Sequence, residues 1–327
     1  MTLRAALAAL VFTANALAAE PLPALGAHRE YTVSGVSSGA FMAVQFHVAY
    51  SAQVEGVAAI AGGPYYCAQG SLWKALYNCM VPGWFTPLPA VAQLKSQTDR
   101  FAREGRIDAT ANLRAAPAWL FSGMRDETVA HEVVQALHDY YREFQARAIL
   151  VADKRAGHGM VTQDAGVACR ATEPPYINDC DYDAAGELLK HLLGTLSPPR
   201  EPAGELLAFD QWPFGARAMS MDDEGFVYIP GVCRTESCRV HVVFHGCRQG
   251  KSFLEDRFVR EAGYNRWAEA NRMIVLYPQA IARYLPIYNP RGCWDWWGYT
   301  GSDYHTKEGA QMRAVKAMLE RLSAPRQ

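Results

Sequence analysis

The residues with the clearest capacity for chemistry lie near the start of the chain, in Ser34-Gly35-Val36-Ser37-Ser38-Gly39-Ala40. Gly35-x-Ser37-x-Gly39 follows an extended run from Arg29 to Val33 and precedes a helical one from Ala40 to about Tyr50. That is the nucleophile-elbow pattern. The turn is so tight that the positions two before and two after the serine have no room for side chains. Ser37 is lifted off the sheet edge, and the next backbone N–H, that of Ser38, points to where an oxyanion forms. The pentapeptide alone also fits an ordinary Gly/Ser turn, so its partners decide. A serine hydroxyl is a weak nucleophile until a base takes its proton, and the base needs a third group to fix its tautomer. Asp126, in Gly123-x-x-Asp126-x-x-Val129, follows an apolar strand; His158 follows the next strand, between Gly157 and Gly159.

The order Ser37, Asp126, His158 is that of an α/β-hydrolase triad. The plainer alternatives are a helix N-cap for Asp126 and a solvated loop position for His158. A second oxyanion donor in that fold comes from the loop after the third strand, often in a His-Gly motif. Val242-Val243-Phe244-His245-Gly246-Cys247 matches it, but follows the triad where the usual order puts it before the serine. A circular permutation accounts for the displacement: the last helix leads into Tyr31 if the termini are joined. The competing view is two unrelated domains. The remaining cluster is Trp294, Trp296 and Trp297, in Gly292-Cys293-Trp294-Asp295-Trp296-Trp297-Gly298-Tyr299. Such a cluster either packs over the sheet edge or supplies one or two tryptophans to a groove for an apolar chain beside Ser37, and the groove is the expectation, with all three as candidates.

The elements that must hold these groups alternate. Apolar runs predict strands near 57–61, 118–121, 148–151, 225–230, 239–244 and 273–277. Helical spacing predicts helices over about 89–103, 133–146, 184–193, 253–270 and 307–322. Residues 64–90, rich in Tyr, Trp, Pro and Cys, are expected to form a disulfide-pinned loop. Ser197-Pro198-Pro199-Arg200-Glu201-Pro202 is taken as a join inside one domain, because the strands beyond it supply the rest of the same sheet. The expected fold is a mostly parallel sheet with helices on both faces.

The chain has 327 residues, half of them hydrophobic, which is ample for one large core. A net charge of −1 with no basic block excludes nucleic acid as an expected partner. Met1 to Arg4, an apolar run from Ala5 to about Ala14, and Ala16-Leu17-Ala18 read as an export signal over residues 1–18. That run is too short to span a membrane, so a secreted or periplasmic product with no membrane span is expected. Eight cysteines fit that address. They permit about a hundred complete pairings. Neighbour with neighbour is the expectation: Cys67 with Cys79, Cys169 with Cys180, Cys233 with Cys238, leaving Cys247 and Cys293. No C-x-x-C occurs, so a zinc site is not expected.

With these motifs in place, the chain resembles the secreted poly(3-hydroxybutyrate) depolymerases of the single-domain, circularly permuted α/β-hydrolase type. The resemblance runs through Ser34–Gly39, Asp126, Gly157-His158-Gly159, Phe244-His245-Gly246-Cys247 and Gly292–Tyr299, in the family's order. It implies a monomeric ester hydrolase over residues 19–327 with Ser37 as nucleophile, His158 as base and Asp126 as its orienter. The Ser38 and Cys247 N–H groups form the implied oxyanion hole, and a Trp of the 294–297 cluster forms part of the groove. No metal or organic cofactor is implied. Many bacterial members carry a linker and a substrate-binding domain after the catalytic one. This sequence shows neither, which points to amorphous polymer or hydroxyalkanoate oligomers as substrate. The alternatives are a secreted esterase for acetyl or feruloyl groups on polysaccharide, and a non-catalytic polymer-binding protein on the same fold.

Overall fold

The computed structural model describes residues 19–216 and 219–326, so the expected export signal at 1–18 lies outside the described residues. The first half of the chain lays down β1 (Tyr31–Val36), α1 (Ser38–Ala49), β2 (Val54–Ile60), α2 (Leu72–Asn78), α3 (Val91–Arg103), β3 (Pro117–Phe121), α4 (His131–Glu143) and β4 (Arg147–Val151). Three short strands come next, β5 (Met160–Thr162), β6 (Val167–Ala168) and β7 (Ile177–Asp179), then α5 (Ala184–Leu193). Beyond the proline-rich join come β8 (Glu205–Asp210), β9 (Glu224–Ile229) and β10 (Arg239–Phe244). The chain then forms α6 (Lys251–Leu254), α7 (Arg257–Glu261), α8 (Tyr264–Asn271), β11 (Met273–Tyr277) and α9 (Ala310–Ser323).

One eight-stranded sheet runs β4-β3-β2-β1-β10-β11-β9-β8, and within it β9 runs opposite to the other seven strands. The sequence explains which strands are central. All six residues of β1 are buried, as are five of the six in β10, the continuous burial of strands covered on both faces. The outermost strand, β4, opens on the exposed Arg147, and a charged side chain blunts an edge.

Strands from both sides of the proline-rich join share this sheet: β1 lies between β2 and β10, with Val33 opposite Val57 on one side and Val242 on the other. The chain ends meet as a circular permutation requires. Leu25 N–H and Ala27 N–H both donate to Leu322 O, at 3.0 and 3.1 Å, and Ser323 Oγ donates to His28 O at 2.9 Å. The fold is a permuted α/β-hydrolase.

Helix α1 is buried at all twelve positions. It has no solvent face, because the sheet covers one side and other segments the rest. Trp296 stacks on Phe41 with ring centroids 3.9 Å apart, and Gln45 Nε2 donates to Asp295 O at 2.9 Å. His47 Nδ1 meets Tyr141 OH at 2.9 Å.

The expected long helix over 253–270 is three pieces instead. Glu255 at φ 54° and Gly263 at φ 89° adopt left-handed backbone that no continuous helix contains. Residues 64–90 hold α2 within the expected loop, and β8 went unpredicted because Glu205-Leu206-Leu207-Ala208-Phe209-Asp210 has no clean alternation.

Buried histidines make this fold acid-sensitive. Burial lowers His47, His241 and His305 to a pKa of about 3 and His245 to about 4, from 6.5. Below pH 6.5 the unfolded chain therefore binds protons that the folded one refuses. Each such group costs up to about 1.4 kcal/mol of stability per pH unit until its folded pKa is reached. The urea midpoint should fall steeply from pH 7 towards pH 4.5; a flat midpoint over that range contradicts neutral burial of these rings.

Candidate active site

Ser37 sits between the end of β1 and the start of α1 at φ 57°, ψ −124°. That conformation costs a side-chain-bearing residue on the order of 1–3 kcal/mol and persists only where the surroundings impose it. They do so here through two glycines. A Cβ on Gly35 would overlap the carbonyl of Gly39, and a Cβ on Gly39 would overlap the carbonyls of Phe244 and His245. The first turn of α1 thus rests directly on the end of β10. The Ser37 N–H donates to Ile60 O at 2.9 Å and fixes the elbow to β2 on its other side.

His158 Nδ1 lies 2.8 Å from Asp126 Oδ2, and both side chains are buried. The other carboxylate oxygen, Oδ1, accepts the Thr128 and Val129 N–H groups at 2.8 and 2.9 Å. Asp126 therefore orients the imidazole and pins its own loop at once; α4 begins further on, after Ala130. The His158 N–H donates to Thr172 Oγ1 at 2.9 Å. The segment opposite is gathered by Asn178, whose Nδ2 donates to Ala171 O at 2.6 Å and Cys169 O at 3.0 Å. Cys169 is bonded to Cys180. Ser37 and His158 line one cavity with Thr128, Tyr176, Gly246 and Cys247. No hydrogen bond joins the two side chains among the described residues; apo enzymes often complete that contact on binding.

The loop after β10 is set by His245. Its Nε2 accepts the Ala280 N–H at 3.0 Å, which leaves Nδ1 as the donor to Gly246 O at 2.7 Å. With its carbonyl held back, the trans peptide between Gly246 and Cys247 turns the Cys247 N–H the opposite way, and Cys247 lines the cavity. Gln249 reinforces this by accepting the Gly246 N–H at 2.7 Å and donating to Tyr176 O at 2.8 Å.

Cys247 is bonded to Cys293 in the tryptophan segment; the other disulfides are Cys67–Cys79, Cys169–Cys180 and Cys233–Cys238. Asp295 folds that segment. Its Oδ1 accepts the N–H groups of Trp297, Gly298 and Tyr299, and its Oδ2 accepts the N–H and the hydroxyl of Thr300. Burial pushes the Asp295 carboxyl pKa up, while those same bonds oppose the shift.

The tryptophans then part company. Trp296 and Trp297 line a second cavity with Leu72, Leu76 and Tyr288, and that cavity shares Met80, Cys247 and Arg291 with the first. Trp294 lines neither. Its ring is fully buried against Phe244 and His245, and its backbone N–H donates to Ser38 Oγ at 3.3 Å, so its expected place in a groove is corrected to packing beneath the His245 loop. Arg248, Gln249 and Arg291 also line the cavity that holds Ser37 and His158. In the sequence, Arg248 and Gln249 directly follow the His-Gly-Cys motif, but Arg291 carries no motif at all.

No family model matches the chain. The poly(3-hydroxybutyrate) depolymerase of Delftia acidovorans is 43% identical over 317 residues, which are 94% of this chain and 62% of that protein. The polyhydroxybutyrate depolymerase of Talaromyces funiculosus is 35% identical over 326 residues, covering 94% of this chain and 93% of the relative. The chain belongs to the polyhydroxybutyrate depolymerase family. It spans under two thirds of the Delftia relative but nearly all of the Talaromyces one. Two solved structures are similar throughout, each at a TM-score of 0.84 and covering 93% of this chain and 98% of the other. One is the PHB depolymerase from Penicillium funiculosum, at 32% identity. The other is a serine-to-alanine PHB depolymerase variant complexed with an R3HB trimer, at 33%.

The bond between Asp126 and His158 gives a direct test. Asp126→Asn keeps the shape but offers the ring the wrong tautomer, and should lower turnover of p-nitrophenyl butyrate by about ten-thousandfold. Turnover within tenfold of wild type means that Asp126 only pins its loop.

Proposed function

We propose that this depolymerase-family chain is a serine esterase that cleaves poly(3-hydroxybutyrate) or its oligomers through Ser37, His158 and Asp126. The observation that carries the reading is the juxtaposition in one cavity of a strained serine, a histidine oriented by a buried carboxylate, and a loop whose peptide is turned by His245. Ser37 Oγ attacks the ester carbonyl while His158 Nε2 takes its proton. The tetrahedral oxyanion is stabilised by the N–H groups of Ser38 and Cys247. His158 then protonates the departing alcohol, and an acyl-enzyme remains on Ser37. Water, deprotonated by the same ring, attacks that ester and restores the serine.

The surroundings favour a polyester over an ester on a polysaccharide. The second cavity is walled by Leu72, Leu76, Met80, Trp296 and Trp297. Around α2, Trp73 stands 63% exposed, and Trp84 and Phe85 are over 90% exposed. An apolar wall of this kind suits the methyl and methylene groups of a hydroxyalkanoate chain, and the exposed aromatics form an interaction surface. Four disulfides support a secreted or periplasmic address.

The test has two arms. Wild-type protein should clear a suspension of amorphous poly(3-hydroxybutyrate). Ser37→Ala should fold with its disulfides intact and lose activity by about a million-fold. A clear suspension with the alanine variant, or turnover of feruloyl esters in place of the polymer, overturns the reading.

A further inference from the structure

The catalytic cavity is lined by two arginines and by no carboxylate: Arg248 and Arg291 are its permanently charged side chains. Arg248 Nη1 donates only to the neutral hydroxyl of Tyr176, at 3.3 Å, and neither guanidinium meets an acid among the described residues. Arginines differ in this respect: Arg239 and Arg283 also hold no acid among the described residues, whereas others are paired. Arg257, Arg260, Arg266 and Arg272 each hold an aspartate or glutamate.

The two unpaired cations are also fixed to one another through the backbone. Arg248 takes a left-handed φ of 62°, a conformation that a residue with a long side chain adopts only under constraint. Its N–H donates to Arg291 O at 2.8 Å, and its neighbour Cys247 is bonded to Cys293, two residues past Arg291. One backbone clamp therefore brings both residues to the wall of the cavity that Cys247 also lines. Arg291 stands where the catalytic cavity and the aromatic one meet, and it is the sole charged residue lining the latter.

We propose that Arg248 and Arg291 bind the terminal carboxylate of hydroxyalkanoate oligomers, so that acid-terminated fragments are preferred substrates alongside the uncharged interior of a polymer. The proposal rests on the esterase reading. A polyester chain carries one carboxylate, and whichever ester is cleaved, that carboxylate leaves with the alcohol half. A guanidinium pair in the cavity that holds Ser37 therefore reads the leaving-group side, and selects ester bonds close to the acid end. Arginine suits the task, since its planar fork matches a carboxylate with two parallel hydrogen bonds. A cleft free of competing acids concentrates the field on the ligand.

The experiment compares the trimer of (R)-3-hydroxybutyrate as free acid and as methyl ester, at near-neutral pH and concentrations below KM. Wild type should favour the acid by about tenfold or more in kcat/KM, as a charge-assisted hydrogen bond warrants, and added salt should shrink that preference. In Arg248→Gln/Arg291→Gln the ratio should fall towards one, chiefly through a higher KM for the acid; Arg291→Gln alone should lie between. Equal wild-type rates on both trimers overturn the proposal, and so does equal loss on both in the double variant, which would mark the arginines as structural. Salt dependence in wild type needs no variant and stands even if a substitution impairs folding. If wild type cleaves neither trimer while Ser37 remains reactive to an organophosphate, the esterase substrate reading fails, and the carboxylate proposal with it.

Discussion

Everything in the site depends on how closely the first turn of α1 can approach the end of β10. Gly39 faces the carbonyls of Phe244 and His245 with no room for a methyl group. That contact sets Ser37 and the His245-Gly246-Cys247 loop in one frame, although more than two hundred residues separate them in the chain. In the proposed mechanism neither half positions an oxyanion hole alone: the Ser38 N–H belongs to the elbow and the Cys247 N–H to the loop. In an enzyme of this type the donors must stand ready before charge develops, because little reorganisation can be tolerated at that moment.

The surrounding polar network serves the same end. His245 is neutral and buried, with one nitrogen accepting from Ala280 and the other donating to Gly246 O. Beneath the elbow, Ser34 Oγ meets both His241 Nε2 and the Tyr264 hydroxyl, at 2.8 and 2.9 Å, and Thr32 meets His241 Nδ1 at 2.8 Å. These bonds cross between β1, β10 and α8 and specify the register of the two central strands. Buried groups that are fully partnered stiffen a core; the same groups half-partnered would weaken it. Asp295 does for the tryptophan segment what His245 does for the oxyanion loop, converting one buried side chain into several fixed backbone directions.

Much of this was legible in the sequence because it rests on local rules. The elbow, the strands of β1, β2, β10 and β11 and the displaced His-Gly motif are carried by glycine spacing and continuous apolar runs, and they imply the permutation together. What escaped depends on tertiary placement. Trp294, Trp296 and Trp297 look alike in sequence, yet one turn about Asp295 buries the first under His245 and directs the other two to a cavity wall. The break in the segment 251–271 needs Glu255 in left-handed backbone, which nothing in its residue type announces. Arg291 has no periodicity or motif; only the fold shows it facing the catalytic cavity.

The central claim is that one oxyanion hole is assembled from two distant segments, with Ser37 at its focus. A crystal structure of the protein inactivated by an organophosphate tests it most directly. A single adduct on Ser37 Oγ is expected, with the phosphoryl oxygen about 2.7–3.1 Å from the backbone nitrogens of both Ser38 and Cys247. An adduct on another residue, or a phosphoryl oxygen turned to solvent with the Cys247 N–H unengaged, would contradict it.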